Sequence, residues 1–176
     1  MISKYFCGLS SGEILEFEKL IESHPQLRFV FVGDSNFEAI FESSKGLKRG
    51  FEQDRIIAIE RIAESEIVSF LSEIDLIFSL PGVTGGAGAI VSAILQKKAA
   101  TVCSDNDASV YCDSQFLYDD HFSMVRMLKE LTCNPVALKE CGEFNYQKLI
   151  STFGYDLCQQ FVDCLASTIE CKLNRL

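Results

Sequence analysis

Residues 75–105, DLIFSLPGVTGGAGAIVSAILQKKAATVCSD, constrain the fold of this chain more than any other stretch. The run 76–80 is short and apolar and stops at Pro81, as expected of a strand buried on both faces of a parallel sheet. Gly82, Gly85, Gly86 and Gly88 follow closely, residues 89–98 have helical composition, and residues 100–103 are apolar again. Strand, turn, helix and strand in so short a span fit a crossover helix between two parallel strands. The turn itself has two readings. It is a tight strand-to-helix turn whose glycines serve packing alone, or it is an anion site. In the second case free N–H groups and the positive end of the helix dipole face a backbone that a phosphate can approach closely.

The alternation extends through the N-terminal half. Residues 5–9 read as a strand, and Ser10 as the N-cap of a helix with Glu13 at its third position and Ile14, Phe17, Leu20 and Ile21 along one face. Residues 27–32, LRFVFV, form the next strand, closed by Gly33-Asp34-Ser35-Asn36. A helix is expected over 37–43, a polar loop over 44–54, a strand over 55–59 and a helix over 66–74. Beyond residue 103 helices are expected over 120–131, 135–141, 144–153 and 155–173, with one strand signal at 115–117. The predicted fold is α/β: a three-layer, Rossmann-like parallel sheet of five to six strands, helices on both faces, and a C-terminal helical cap. A single domain is expected over 1–176, with a β/α core at 1–109 and a mainly helical closing segment at 110–176.

At 48% apolar residues, with 14 Phe, the chain can fill a core, which excludes a disordered class. A net charge of −9, with 16 Lys and Arg and no dense basic run, argues against nucleic acid as a partner. No apolar run approaches the roughly 20 residues that span a bilayer. The eight cysteines include no C-x-x-C pair, and neither His24 nor His121 stands at zinc-ligand spacing, so no metal site is expected. With no signal-like N-terminus they read as reduced thiols of a cytoplasmic protein, Cys103 acting as a small buried hydrophobe. His24 is expected to face solvent at a helix end, and His121 to lie in a helix-cap region.

In an open parallel sheet ligands sit outside the carboxyl ends of the strands. Here those loops are 8–11, 33–36, 60–63, 81–88 and 104–109. Gly8 and Ser10 are candidates in the first, although Ser10 serves equally as a helix cap. Arg61 either pairs with a diphosphate or is simply solvated. Asp105 and Asp107 either accept from hydroxyls or are ordinary turn residues. There is no G-K-[ST] after the glycine turn and no G-x-G-x-x-G after the first strand, and no cofactor is implied.

Taken in order, these segments resemble the C-terminal, nucleotide-sugar-binding domain of GT-B glycosyltransferases of the retaining group-1 (family-four) type. HPQLRFVFVGDSN from His24 resembles that family's second strand and glycine turn. RIIAIERIAESEIVSFLSEIDLIFSLP from Arg55 resembles its base-contacting loop, the following helix and the aspartate–apolar–proline strand. GGAGAIVSAILQKKAATVCSD resembles its glycine turn, donor-binding helix and next strand, and DDHFSMVRMLKEL and FNYQKLISTFGYDLCQQFVDCL resemble its closing helices.

The resemblance implies transfer of a sugar from a nucleotide-diphosphate sugar to an acceptor on a glycan, a lipid or a small molecule. It places the diphosphate at Thr84, Gly85, Gly86, Ala87 and Gly88, with Gly8 and Ser10 in the first loop, the base against Arg61 and Ile62, and the ribose near Ser92. It implies an N-terminal acceptor domain in cis or in trans, this chain being a fragment or half of a two-domain enzyme. Any peripheral membrane association would run through that other part only.

Two departures stand out. Where the family has two glutamates separated by seven residues, this chain has Thr84 and Ser92, and the loop GLSSGE lacks the family's basic phosphate contact. The alternative implied by those losses is a non-catalytic GT-B-like partner or scaffold domain with an eroded donor site. PGVTGG also faintly resembles the P-G-G-x-G-T turn of the lysine-decarboxylase-like phosphoribohydrolases, but residues 89–91 supply no carboxylate where those enzymes need one.

Overall fold

The computed structural model describes residues 11–32, 44–59, 61–63, 65–82 and 86–154. In chain order the elements are α1 (Ser11–Ser23), β1 (Phe29–Val32), α2 (Lys45–Glu52), β2 (Ile56–Ile59), α3 (Ile67–Ser72), β3 (Leu76–Phe78), α4 (Ala87–Leu95) and β4 (Ala99–Cys103). Two 3-10 turns (Asp107–Tyr111 and Ser114–Phe116), β5 (Leu117–Tyr118), α5 (His121–Cys133) and α6 (Pro135–Phe153) follow. The strand expected at 5–9 and the helices expected at 37–43 and 155–173 lie outside the described residues.

Every described strand pairing is parallel. β1 pairs with β2, Phe29 opposite Ile56 and Val32 opposite Ile59. β4 lies between β3 and β5, with Leu76 opposite Ala99 and Val102 opposite Leu117. The chain is therefore α/β, its parallel strands forming one two-stranded and one three-stranded sheet among the described residues.

β4 is apolar throughout apart from Thr101, and all of it is buried. Its successive side chains point to opposite faces, as strand geometry requires. Ala100 and Val102 pack with Ile90 and Ile94 of α4 and Leu149 of α6. Cys103 faces the other way, into a core formed by Phe17, Leu20 and Ile21 of α1 and Met124, Val125 and Leu128 of α5. Helices thus cover both faces of β4.

That second core also joins the two sheets. Phe29 and Phe31 of β1 meet Phe78 of β3 edge-on, with ring centroids 6.5 and 6.3 Å apart, the favoured geometry for aromatic quadrupoles. Phe17 seats against Phe29 at 5.0 Å. Each such side chain contributes on the order of 2 kcal/mol of burial.

Two expectations are corrected. The segment 44–54, expected as a loop, contains α2. Ser44 caps it by accepting from the Leu47 N–H at 3.2 Å, and Glu18 of α1 accepts from Ser44 Oγ and from the Gly46 N–H. Buried Leu47 and Gly50 then hold this otherwise polar helix against the rest of the molecule. The helices expected at 135–141 and 144–153 are one continuous α6, capped by Asn134 with Pro135 at its start. Gly142 does not break it. A Cβ there would stand 2.2 Å from the Lys97 carbonyl oxygen, so this glycine lets α6 lie directly on the turn between α4 and β4.

No helix among the described residues is long and apolar enough to cross a membrane. Nor does any group of three or more His, Cys, Asp or Glu among them gather as metal ligands would.

Candidate functional site: the carboxyl edge of the parallel strands

Parallel strands put all their carboxyl ends on one edge. In the three-stranded sheet Ser79 to Gly82 follow β3, Ser104 and Asp105 follow β4, and Asp119 follows β5; in the two-stranded sheet Arg61 and Ile62 follow β2. Side chains tie three of these ends together. Ser79 Oγ accepts from the Cys103 N–H at 2.9 Å, and the Tyr118 hydroxyl donates to the Ser79 carbonyl. One strand further on, Ser104 Oγ donates to Asp119 Oδ1 at 2.5 Å. Burial lifts the Tyr118 hydroxyl above the usual phenol range, so it stays protonated and keeps donating.

Gly82, where the glycine turn begins, lies on this rim. Gly82 has φ 72°, a left-handed conformation that suits glycine, and its backbone reaches the Cys103 thiol. Desolvation, and then a hydrogen bond with the Asp105 side chain, raise that thiol above its ordinary value. Cys103 is therefore a neutral packing group, as expected from its apolar run.

The decisive geometry is at the start of α4. Gly86 stands at its N-cap with φ 76° and ψ 2°, again left-handed, and no side chain caps the helix from that position. The first intrahelical bond runs from the Ile90 N–H to the Gly86 carbonyl at 3.1 Å. The N–H groups of Ala87, Gly88 and Ala89 belong to the first turn, which a helix cannot satisfy from within. A Cβ at Gly86 or at Gly88 would meet no described atom within 4 Å.

The two glycines differ in an instructive way. Gly86 is required by its backbone angle. Gly88 lies inside the helix, where glycine costs about 0.5–1 kcal/mol relative to alanine. Neither its backbone nor its packing against described residues calls for glycine. The helix itself is held firmly, because Ile90 and Ile94 are buried against β4.

The other expected residues are distributed around this point. Arg61 is exposed and Ile62 half-buried, just beyond the carboxyl end of β2, and Ala87 is half-buried in the first turn of α4. Ser92 is buried, and its hydroxyl donates to the Gly88 carbonyl at 2.8 Å, so its proton is used within the helix. Asp105 and Asp107 are exposed, and Asp107 opens a 3-10 turn capped by Asn106, which accepts from the Ala108 N–H at 2.9 Å. Gly8, Ser10, Thr84 and Gly85 lie outside the described residues. The lattice of Ser79, Tyr118, Ser104 and Asp119 was missed in the sequence. Its only signal was a polar residue at or just beyond the end of each strand run.

No protein-family model and no curated protein matches this chain. A helix start whose first-turn N–H groups have no partner within the helix, with Gly86 and Gly88 beside them, is chemically suited to hold an anion.

Proposed function

We propose that this chain is the nucleotide-sugar-binding domain of a GT-B-type glycosyltransferase, with the donor diphosphate held at the start of α4. The observation that carries this reading is Gly88, a glycine that costs helix stability and whose side-chain position, beside the first-turn amides, meets no described atom. On this reading the cost is offset when phosphate oxygens approach where a Cβ would stand. The helix dipole adds about 0.3–1 kcal/mol per charge, more where water is excluded. As the sugar departs, charge develops on the diphosphate, and fixed amides stabilise it without reorganising.

Ile62 offers an apolar edge and Arg61 a cation on the same side, which suits the base and phosphates of a nucleotide. The two described sheets are then parts of one Rossmann-like sheet, a reading supported by the Phe29, Phe31 and Phe78 core they share. The acceptor would be bound by a second domain, in cis or in trans. The free thiols Cys103, Cys112, Cys133 and Cys141 are compatible with a cytoplasmic setting.

A Gly88→Ala variant tests the reading. It is expected to stabilise the chain by about 0.5–1 kcal/mol in urea unfolding. It is also expected to weaken nucleoside diphosphate binding at least about tenfold, or 1.4 kcal/mol. Opposite signs on the two measurements are the signature of a position kept small for a ligand. Unchanged affinity in the variant would remove the site.

One observation favours the alternative of an eroded, non-catalytic domain. Ser92 spends its hydroxyl proton on Gly88 and is buried, so it does not replace a ribose-binding carboxylate. That reading predicts no saturable nucleotide binding, together with stable association with a second chain.

A further inference from the structure

At the opposite edge of the sheets, a cysteine from one helix end meets a histidine from another. α1 and α5 both end there, Cys133 being the last residue of α5 and His24 the residue after α1. Cys133 Sγ lies 2.8 Å from His24 Nε2, across 109 positions of sequence. This corrects the expectation that His24 merely faces solvent; it is half-buried and engaged at both ring nitrogens.

Those contacts fix its tautomer. His24 Nδ1 lies 3.1 Å from the Leu20 carbonyl oxygen, which can only accept. Ser23 Oγ lies 2.8 Å from the same nitrogen, but its own proton is donated to the Lys19 carbonyl at 2.5 Å. Nδ1 therefore carries the hydrogen, and the lone pair of Nε2 faces the thiol. Arg55 holds the segment in place by donating to the His24 carbonyl at 2.8 Å and to that of Ile21. A base aimed at a thiol, and itself oriented by a third group, is the arrangement that activates a nucleophile.

Cys133 is exposed, whereas Cys103, Cys112 and Cys141 are buried. Desolvation pushes the Cys112 and Cys141 thiols up to about 12, which leaves them inert at neutral pH.

We propose that Cys133 and His24 form a thiol–imidazole pair that reacts with hydroperoxides. Nε2 takes the Sγ proton, and the sulfur attacks one peroxide oxygen as the O–O bond breaks. The departing hydroxide recovers that proton as water, so the thiol and hydrogen peroxide yield a sulfenic acid and one water. The sulfur is oxidised by two electrons and the peroxide reduced by two. The site is independent of the nucleotide reading and lies at the other end of the strands.

The test is hydrogen peroxide added to the full chain in the presence of dimedone, with adducts assigned to each cysteine by peptide mass spectrometry. Cys133 is expected to be labelled well before Cys103, Cys112 and Cys141, and faster than glutathione in the same solution. His24→Gln is expected to slow labelling of Cys133 about tenfold or more while leaving the melting temperature near that of the parent chain. Labelling of Cys133 no faster than glutathione overturns the proposal, as does an unchanged rate in a folded His24→Gln chain. Should that variant fail to fold, the comparison with glutathione in the parent chain decides alone.

Discussion

Gly142 and Gly88 put the same missing Cβ to opposite uses. At Gly142 the space is filled by the Lys97 carbonyl, 2.2 Å from where a Cβ would be. Backbone has to move to admit one, so Gly142→Ala is expected to lower stability by about 2–3 kcal/mol in urea unfolding, despite the better helix propensity of alanine. At Gly88 no described atom stands within 4 Å of that position, and the same substitution is expected to stabilise. Asp120 is a third local case. It caps α5 by accepting from the Ser123 N–H at 2.7 Å, and that bond holds its carboxyl below the usual range. A lowered folded value means the stabilisation is present above the unfolded pKa and fades as pH falls through the folded one. Asp120→Ala is therefore expected to cost about 1 kcal/mol at neutral pH, the low end being favoured by solvent screening. The gap between the two chains should close as melting is followed from about pH 6 to about pH 3. The helix start at Asp120 was legible because its capping signal is local. The His24–Cys133 contact was not, because nothing in the sequence links positions so far apart.

Among the elements, β4 and α4 were the easiest to read. A short apolar run after a glycine-led helix has few places to go except the middle of a parallel sheet, and every residue of β4 is buried. α2 was misread because its caps come partly from Glu18 on α1, and its polar composition hides the two positions that pack. α6 is one helix where two were expected, at 135–141 and 144–153, and Gly142, between those ranges, is a point of close approach. Asn145, on the same helix, shows how firmly α6 is tied to the sheet. It is fully buried, donates to the Ala100 carbonyl at 2.7 Å, and accepts from the Asp113 N–H at 2.8 Å. Asn145→Ala would leave both backbone groups without that partner in the interior. A loss of about 2–4 kcal/mol is expected, read as a fall in the urea midpoint with an unchanged slope. A change under about 0.5 kcal/mol would mean α6 is anchored by its apolar contacts alone.

For the molecule as a whole, parallel strands with helices on both faces of β4 followed from the alternation of elements, and the structure shows both. The edge that carries the glycine turn was legible for the same reason, since strand direction alone decides which loops gather there. The side-chain lattice beneath that edge was not, because Ser79, Tyr118, Ser104 and Asp119 become neighbours only when the strands pair. The two edges of the molecule carry different chemistry: an amide-lined helix start at the carboxyl ends, and a thiol beside an imidazole at the other. Anion binding at the first edge is tested by an amide-resolved NMR titration of the full chain with uridine, guanosine and adenosine diphosphates and with inorganic pyrophosphate. Saturable shifts of the Gly86, Ala87, Gly88 and Ala89 amides are expected with at least one of the nucleotides below about 5 mM, matched in kind by pyrophosphate. Amides that stay still throughout, or shifts confined to residues away from the start of α4, would contradict it.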